Sequence, residues 1–385
     1  MIPGSVKTLF IVCGEPSGET YAASVARTFR GRFPDAPMEG IGGARLAAEG
    51  VRLLMDYGGI SVVGITEVAR HLPAILSGIR AAVSRVTRPD VGALLLVDFP
   101  DFNFRVGRKA HAKGVPVIYY IPPQLWAWRR GRARELAGFT DGVVVPFPFE
   151  KPILEEHGVN VRFAGHPILD ELAPVLDAPP DPGRFGIPPG KRLVGLLPGS
   201  RPGEIRSHLP LMAEAAAGIL RRFPDVHFAF PLASPGFRGM VEDGLRGKGL
   251  PATVVESDRH LLFRGMAAAA SASGTATLEL ALLGVPTVIV YRTSEVTYRI
   301  GKRLAKVSSI GLPNIVAGEP FLPELIQGEC RPGRIAEEVC AILSDPDRRE
   351  KLALRCASLR GKLAGPGPAE AVVDMLAQAG GGAWA

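Results

Sequence analysis

The chain has 385 residues, 46% hydrophobic and 22% charged, a balance that suits two ordinary folded domains and argues against a disordered or low-complexity chain. Its four cysteines, Cys13, Cys330, Cys340 and Cys356, form no CxxC pair, which argues against a disulfide scaffold or zinc ribbon and for a reducing compartment. The net charge of +7, from 45 basic against 38 acidic residues, fits either plain solubility or an anionic partner: a phosphorylated ligand, a membrane surface or a nucleic acid.

From the start of the chain, Thr8–Val12 reads as a strand. Its apolar core, Leu9–Val12, is too short for a signal peptide, and no apolar stretch reaches the ~18 residues that span a bilayer. A Gly-Glu-Pro-Ser-Gly turn follows, then a helix from Glu19 to Phe33. Gly92–Val97 is a continuous apolar run ending in Asp98, the pattern of a strand buried on both faces. Val115–Ile121, Gly142–Val145 and Val161–Ala164 are further strands. Strands alternating with helices predict a parallel sheet covered on both sides. Prolines crowd Ala173–Gly190, which reads as a linker. The alternation then restarts: strand Leu193–Leu197, a Gly-Ser-Arg turn, helix His208–Arg222, strands His227–Pro231 and Thr253–Val255, and one ending near Ala272. Helix Thr275–Leu283, strand Thr287–Tyr291 and two last helices, near Asp347–Leu363 and Ala369–Ala379, complete the chain. The pattern predicts an α/β protein of two Rossmann-like domains facing a cleft: residues 1–172, a linker at 173–190, residues 191–345, and C-terminal helices over 346–385. Ligands of such sheets bind outside the carboxyl ends of the strands, so motifs just after strands are the candidate sites.

Two such motifs lie in the second half. In Leu197-Pro198-Gly199-Ser200-Arg201 a buried strand ends in a glycine turn ahead of a helix. Backbone N–H groups of Gly199 and Ser200 suit phosphate oxygens and Arg201 adds a bidentate donor; the competing reading is an ordinary turn with a surface arginine. In Ser273-Gly274-Thr275-Ala276-Thr277-Leu278-Glu279, small residues let a ligand approach the backbone. Ser273 and Thr275 can cap the helix or donate to phosphate. Glu279, one turn on, suits ribose hydroxyls, or is a capping or solvated glutamate. Two phosphate-friendly turns in one domain favour a nucleotide diphosphate.

The first half offers Gly14-Glu15-Pro16-Ser17-Gly18, which lacks the GxGxxG and Walker spacings, so NAD and P-loop chemistry are disfavoured. Asp98 and Asp101 follow the Gly92–Val97 strand. Asp98 is placed to take a proton from an attacking hydroxyl, whereas Asp101 fits a helix cap better. His166 ends another strand and reads as structural or as a substrate contact. Between Thr66 and Arg88, Val68, Leu72, Ile75, Leu76 and Ile79 recur at helical spacing among Arg70, His71, Arg80, Arg85 and Arg88. That stripe fits a helix on an anionic membrane surface or one packed on the sheet. The scattered basic residues and lack of a recognised module disfavour nucleic acid.

Together the motifs resemble the lipid-A-disaccharide synthase family, inverting glycosyltransferases of the two-Rossmann GT-B type. The resemblance spans nearly the whole chain, the last few residues aside. It rests in the first half on Gly14-Glu15-x-Ser17-Gly18, Gly40-Ile41-Gly42-Gly43-Ala44-Arg45-Leu46, Ser61-Val62-Val63-Gly64-Ile65-Thr66-Glu67-Val68, Asp98-x-Pro100-Asp101-Phe102-Asn103, Trp126-Ala127-Trp128-Arg129, Pro148-Phe149-Glu150 and Gly165-His166-Pro167. In the second half it rests on Leu197-Pro198-Gly199-Ser200-Arg201, Ser273 to Glu279, and Leu312-Pro313-Asn314-Ile315-x-Ala317-Gly318. Each motif is short; their number, order and spacing make the joint match specific.

The resemblance implies a donor, UDP-2,3-diacylglucosamine, and an acceptor, 2,3-diacylglucosamine 1-phosphate (lipid X). The products are the β-1,6-linked lipid A disaccharide 1-phosphate and UDP, with no metal or other cofactor. It implies Asp98 as the base, with Gly199, Ser200, Arg201, Ser273, Gly274, Thr275 and Glu279 on UDP. Glu15, Ser17, Gly18, Asn103 and His166 fall on the acceptor side, and Val68, Leu72, Ile75 and Leu76 on acyl chains or membrane. It further implies C-terminal helices crossing back onto the first domain, a homodimer, and a peripheral protein on the cytoplasmic side of the inner membrane. Two departures stand out: Glu19 where the family has Asp, and Pro122-Pro123-Gln124-Leu125 in place of Ser-Pro-Ser-Val ahead of Trp126. The alternatives are another UDP-sugar GT-B enzyme (a peptidoglycan N-acetylglucosaminyltransferase or a UDP-N-acetylglucosamine 2-epimerase) or a non-catalytic nucleotide-sugar sensor.

Overall fold

The structure, a computed structural model, describes residues 6–57, 65–125, 131–295, 298–299 and 309–384, with only the backbone for 16 and 65–72. The chain divides into two compact units, Met1–Pro167 with Leu363–Ala385, and Ile168–Lys362.

The first unit is built on seven strands: β1 (Thr8–Cys13), β2 (Met38–Gly42), β3 (Arg52–Asp56), β4 (Val91–Val97), β5 (Val117–Tyr120), β6 (Gly142–Val145) and β7 (Val161–Phe163). They form one parallel sheet in the order β3-β2-β1-β4-β5-β6-β7. Its helices are α1 (Pro16–Arg32), α2 (Ala44–Ala48), α3 (Ile65–Val86), α4 (Pro100–His111), α5 (Gly131–Ala137) and α6 (Glu150–Glu155). Every residue of β1 and β4 is buried. That is why both read as unbroken apolar runs: alternate side chains enter two different cores. Phe10, Leu94 and Leu96 join Phe102, Phe104 and Phe139 on one face. Leu9, Ile11 and Leu95 join Val25 and Phe29 of α1 on the other.

The second unit repeats the plan with β8 (Arg192–Leu197), β9 (Val226–Pro231), β10 (Ala252–Val255), β11 (Met266–Ala272), β12 (Thr287–Tyr291) and β13 (Glu324–Ile326). This sheet is also parallel, in the order β10-β9-β8-β11-β12-β13. Its helices are α7 (Ile168–Leu176), α8 (Pro202–Arg222), α9 (Arg238–Leu245), α10 (Arg259–Arg264), α11 (Thr275–Leu282), α12 (Leu312–Ala317), α13 (Pro332–Ser344) and α14 (Pro346–Leu363). In each sheet the strand order reverses once, between β1 and β4 and between β8 and β11. In open α/β sheets ligands bind outside the carboxyl ends of the strands at such a switch point.

After α14 the chain returns to the first sheet as α15 (Pro368–Gly380). Val372, Val373, Met375 and Leu376 fill the same core as Leu9 and Ile11. Gly365 crosses Ala164 so closely that a Cβ there would lie 2.2 Å from the Ala164 carbonyl carbon. Trp384 sets its ring edge-on against Phe29, centroids 5.0 Å apart, and donates Nε1–H to Lys7 O at 2.8 Å. The expected return of the C-terminus is therefore made by α15. Residues 346–362 stay with the second unit: Cys356 is buried, Arg360 Nε donates to Leu282 O at 2.6 Å and Lys362 Nζ to Ala317 O at 2.6 Å.

The expected linker also shifts. The division falls at Pro167/Ile168, and the proline-rich stretch packs on the second unit. Arg184 pairs with Asp258 at 2.8 Å, and Arg264 Nε donates to Ala178 O at 3.4 Å. Two helices start earlier than the sequence pattern suggests, α1 at Pro16 rather than Glu19 and α8 at Pro202 rather than His208. A proline at the first helical position has the right φ and lacks an N–H that would be unpaired anyway.

Candidate active site

The sequence candidates of the first unit gather where β1 and β4 end. Gly14 and Gly18 lie against the Asp98–Phe99 turn. A Cβ on Gly14 would fall 2.3 Å from the Phe99 ring, and one on Gly18 would sit 3.4 Å from Asp98 Cβ. Glu15 is the exposed residue preceding α1, in extended conformation with no side-chain cap bond, and Ser17 is exposed in the first turn. Asp98 and Phe99 both adopt left-handed backbone, φ 49° and 48°, at roughly 1–2 kcal/mol each for non-glycine residues. Strain of this kind persists where the surroundings impose it, and it clusters at functional sites. Burial, and secondarily the Glu15 charge, push the Asp98 carboxyl up to about 6, against the Phe99 backbone hydrogen bond. A carboxyl in that range suits a general base near neutral pH.

Three further candidates of this unit make contacts within the protein. Asn103 is fully buried; its Nδ2 donates to Asp98 O at 2.7 Å and Val97 O at 3.3 Å. Asp101 does not cap α4 through its side chain, because Phe99 is the capping residue; Asp101 accepts from Arg132 Nη2 at 2.5 Å. His166 is buried against Phe147, ring centroids 5.0 Å apart, and burial lowers it to about 3, so it is neutral at physiological pH.

The departure at Glu19 has a structural account. Its carboxylate is buried and accepts from Arg45 N (2.9 Å), Leu46 N (3.1 Å) and Tyr57 OH (3.1 Å). It thereby satisfies the first amides of α2, where anions are favoured. A Cβ on Gly43 would meet Glu19 Oε1 at 2.8 Å, so the Gly14–Glu19 and Gly40–Leu46 motifs are two halves of one contact.

The phosphate candidates of the second unit follow β8 and β11. Gly199 is left-handed (φ 130°), and a Cβ there would strike Glu204 Cβ at 2.6 Å. Glu204 accepts from Ser200 N at 3.0 Å, and the exposed Arg201 side chain stands 3.5 Å from the same carboxylate. Gly274 and Thr275 are exposed where α11 starts, with no side-chain cap. Ser273 does not cap α11; its Oγ donates to Ile310 O at 2.9 Å. Nor is Glu279 a solvated or capping glutamate. It is buried, with Arg259 Nη2 at 2.9 Å and His260 Nε2 at 3.0 Å, each on a different carboxylate oxygen.

His208 is a residue the sequence reading missed. Its buried ring donates Nδ1–H to Pro198 O at 2.8 Å and accepts Arg292 N–H on Nε2 at 2.9 Å. Burial lowers its pKa, in keeping with a neutral ring that ties the turn after β8 to the chain leaving β12. A lone histidine inside an apolar helix pattern carries no such signal in sequence.

Of the apolar stripe on α3, Ile75 is half-buried and packs with Ile79 and Val83 on the core of the first sheet. Leu76 is half-buried, and the side chains of Val68 and Leu72 lie outside the described residues. Among the described residues no helix is long and apolar enough to cross a membrane, and no group of three acidic, histidine or cysteine side chains could hold a metal ion.

Two doubly wound parallel sheets, each with polar and glycine residues at its switch point, define the GT-B class of fold. Solved structures agree at the level of fold. UDP-N-acetylglucosamine 2-epimerase from Neisseria meningitidis, bound to UDP-GlcNAc, superposes with TM-score 0.63 at 13% identity, covering 96% of this chain and 100% of its own. Acinetobacter baumannii MurG gives 0.58 at 13%, covering 97% and 99%. Sequence comparison is more specific. Residues 9–365 match the family model described as lipid-A-disaccharide synthetase. The lipid-A-disaccharide synthase of Geobacter sulfurreducens is 40% identical over 368 residues, 96% of each chain. That of Syntrophus aciditrophicus is 41% identical over 374 residues, 96% of this chain and 97% of its own. The chain belongs to the lipid-A-disaccharide synthase family.

Proposed function

We propose that the chain is a hexosyltransferase that joins UDP-2,3-diacylglucosamine to 2,3-diacylglucosamine 1-phosphate, giving the β-1,6 lipid A disaccharide 1-phosphate and UDP. Asp98 takes the proton of the acceptor 6-hydroxyl as its oxygen attacks the donor anomeric carbon. The bond from that carbon to the UDP oxygen breaks on the opposite face, so configuration inverts. Arg201, the Gly199 amide, the Ser200 hydroxyl and the start of α11 at Gly274–Thr275 receive the negative charge that develops on departing UDP. Glu279 accepts from the ribose hydroxyls; Arg259 and His260 hold its carboxylate ready. The observation that carries this reading is Asp98, a strained residue at the β1/β4 switch point with its carboxyl raised to about 6.

The reaction so read uses no metal or cofactor, and unchanged turnover in excess EDTA is its check. The decisive experiment supplies defined lipid substrates and identifies the product by mass spectrometry. Disaccharide 1-phosphate with stoichiometric UDP is expected. Turnover of UDP-N-acetylglucosamine with no UDP release from the lipid pair would replace this reading with the epimerase one.

Both substrates carry acyl chains, so the protein works at the cytoplasmic face of the inner membrane as a peripheral homodimer. The α3 stripe of Val68, Leu72, Ile75 and Leu76 contacts acyl chains or lipid. Leu72→Ser with Leu76→Ser should weaken flotation with anionic vesicles, since each buried leucine contributes about 1.5–3 kcal/mol; equal flotation returns α3 to a purely internal role. Sedimentation giving a monomer at micromolar concentration would remove the dimer.

A further inference from the structure

The strain at Asp98–Phe99 needs a cause. The left-handed turn after β8 uses glycine, Gly199. At Asp98–Phe99 two successive side chains adopt that conformation, and α4 gains no side-chain cap from it. Three contacts impose it. The Phe99 ring fills the space left by Gly14 and stacks on Phe102 at 5.0 Å. Asp98 N–H donates to Tyr120 O at 3.1 Å, as the last bond of the β4–β5 ladder. The Asp98 carbonyl oxygen then accepts two side-chain donors at once, Tyr119 OH at 2.7 Å and Asn103 Nδ2 at 2.7 Å.

The two donors are unusual residues to find in a core. Tyr119 is completely buried in β5, and burial with the nearby Asp98 charge holds its phenol well above the ordinary value, so it is protonated near neutral pH and donates to Asp98 O. Asn103 is completely buried as well, and its Oδ1 has no hydrogen-bond partner among the described residues. A buried polar oxygen left unpaired destabilises a fold. Retaining it makes sense where the amide on the same side chain has a task that a hydrophobic residue could not perform. Both donors meet on one main-chain atom, and that atom belongs to the residue that carries the base.

We propose that Tyr119 and Asn103 are positioning residues, a two-donor clamp on the Asp98 carbonyl that holds the Asp98 carboxylate in its strained, proton-accepting orientation. The proposal rests on the reading of Asp98 as the base. With the carbonyl gripped from both sides, the peptide plane between Asp98 and Phe99 cannot rotate to an extended conformation. The carboxylate stays aimed toward the start of α1, where Glu15 is the charged side chain that acts on it; Arg132 and Asp101 are the charges that act on Tyr119.

Full-length Tyr119→Phe and Asn103→Ala are the test, each removing one donor. Turnover of defined donor and acceptor lipids is followed as kcat and KM across pH, with thermal melting and UDP binding alongside. A small loss of aim at a reacting group costs about a hundredfold in rate. The expected result is kcat lower by about that factor in either variant, with UDP affinity and the donor KM unchanged. The acid limb of the profile should also move toward ordinary carboxylate values as the released carboxylate regains water. A merely structural role would lower the melting temperature and leave that limb in place; that outcome, or kcat within twofold of the parent in both variants, overturns the clamp. If one variant fails to fold, the other is decisive on the same criteria. Asp98→Asn is run beside them. If it is inactive while both clamp variants are fully active, the clamp alone falls; if it is fully active, the base assignment falls and the clamp with it.

Discussion

Replacing Asp98 by asparagine should stabilise the protein while abolishing its chemistry. The carboxyl titrates at about 6 in the fold against 3.8 for an ordinary aspartate, with burial the main cause and the Glu15 charge the second. A carboxyl raised in this way binds its proton more tightly when folded. Its contribution to stability is complete below about 3.8 and is lost as pH rises through about 6. Above that, ionised Asp98 costs the fold about 3 kcal/mol, at 1.36 kcal/mol per pKa unit. Asparagine keeps the shape and the tolerance for left-handed backbone and carries no charge. At 2–4 °C per kcal/mol for a unit of this size, the variant should melt roughly 6–12 °C higher at pH 8. Near pH 4 the two curves should converge, because the parent is then largely protonated. Melting followed by near-ultraviolet circular dichroism from pH 4 to 8, with UDP release measured on the same samples, checks both halves. A variant that melts no higher than the parent at pH 8, or higher by the same amount at every pH, refutes the reasoning.

Three further outcomes follow from the geometry. Arg201→Ala should weaken UDP binding about ten- to hundredfold by calorimetry, the range of a hydrogen bond to a charged group, and Arg201→Lys should restore only part because the fork is lost; equal affinity in the alanine variant would make the turn after β8 a plain connection. Glu19→Ala leaves two backbone amides and the Tyr57 hydroxyl without their acceptor and should lower unfolding stability by about 3 kcal/mol; an unchanged denaturation midpoint would refute the cap on α2. Trp384→Ala empties the edge-on contact with Phe29 and should cost about 3–5 kcal/mol, read as an earlier transition in urea; a loss under 1 kcal/mol would mean that α15 alone holds the terminus.

Much of the fold was legible because β1, β4, β8 and β12 are buried on both faces and so leave unbroken apolar runs. The strands that escaped notice have other reasons to be strands. β2 is Met-Glu-Gly-Ile-Gly, and a Cβ on Gly40 would lie 2.1 Å from Ile11 O, so close approach dictates its glycines. β3 is an edge strand with alternating exposure, and β13 has three residues. At the site, the residues in the strand–turn motifs were placed correctly along the chain, since loop position follows from topology. What their side chains do was less legible. Ser273 and Glu279 bond to groups distant in sequence, Ser273 to Ile310 and Glu279 to α10, while Asn103 folds back from α4 onto the strained Asp98 carbonyl. Such partners depend on three-dimensional register, which no local pattern encodes. Ile75 was ambiguous for a related reason, because helical periodicity finds an apolar face without saying what it faces.

The return of α15 to the first sheet has a consequence for biosynthesis. The core formed by Leu9, Ile11, Leu95, Ile118 and Val144 is closed by Val372, Val373, Met375 and Leu376, which leave the ribosome after the whole second unit. Until then the first sheet lacks part of its cover, whereas the second unit is encoded without interruption from Ile168 to Lys362. At roughly 5–20 residues per second, that interval lasts on the order of ten to forty seconds. Completion should thus run against the order of the chain, with the later unit finished first. A nascent chain arrested before Pro368 would present an open apolar face, the kind of surface that chaperones bind.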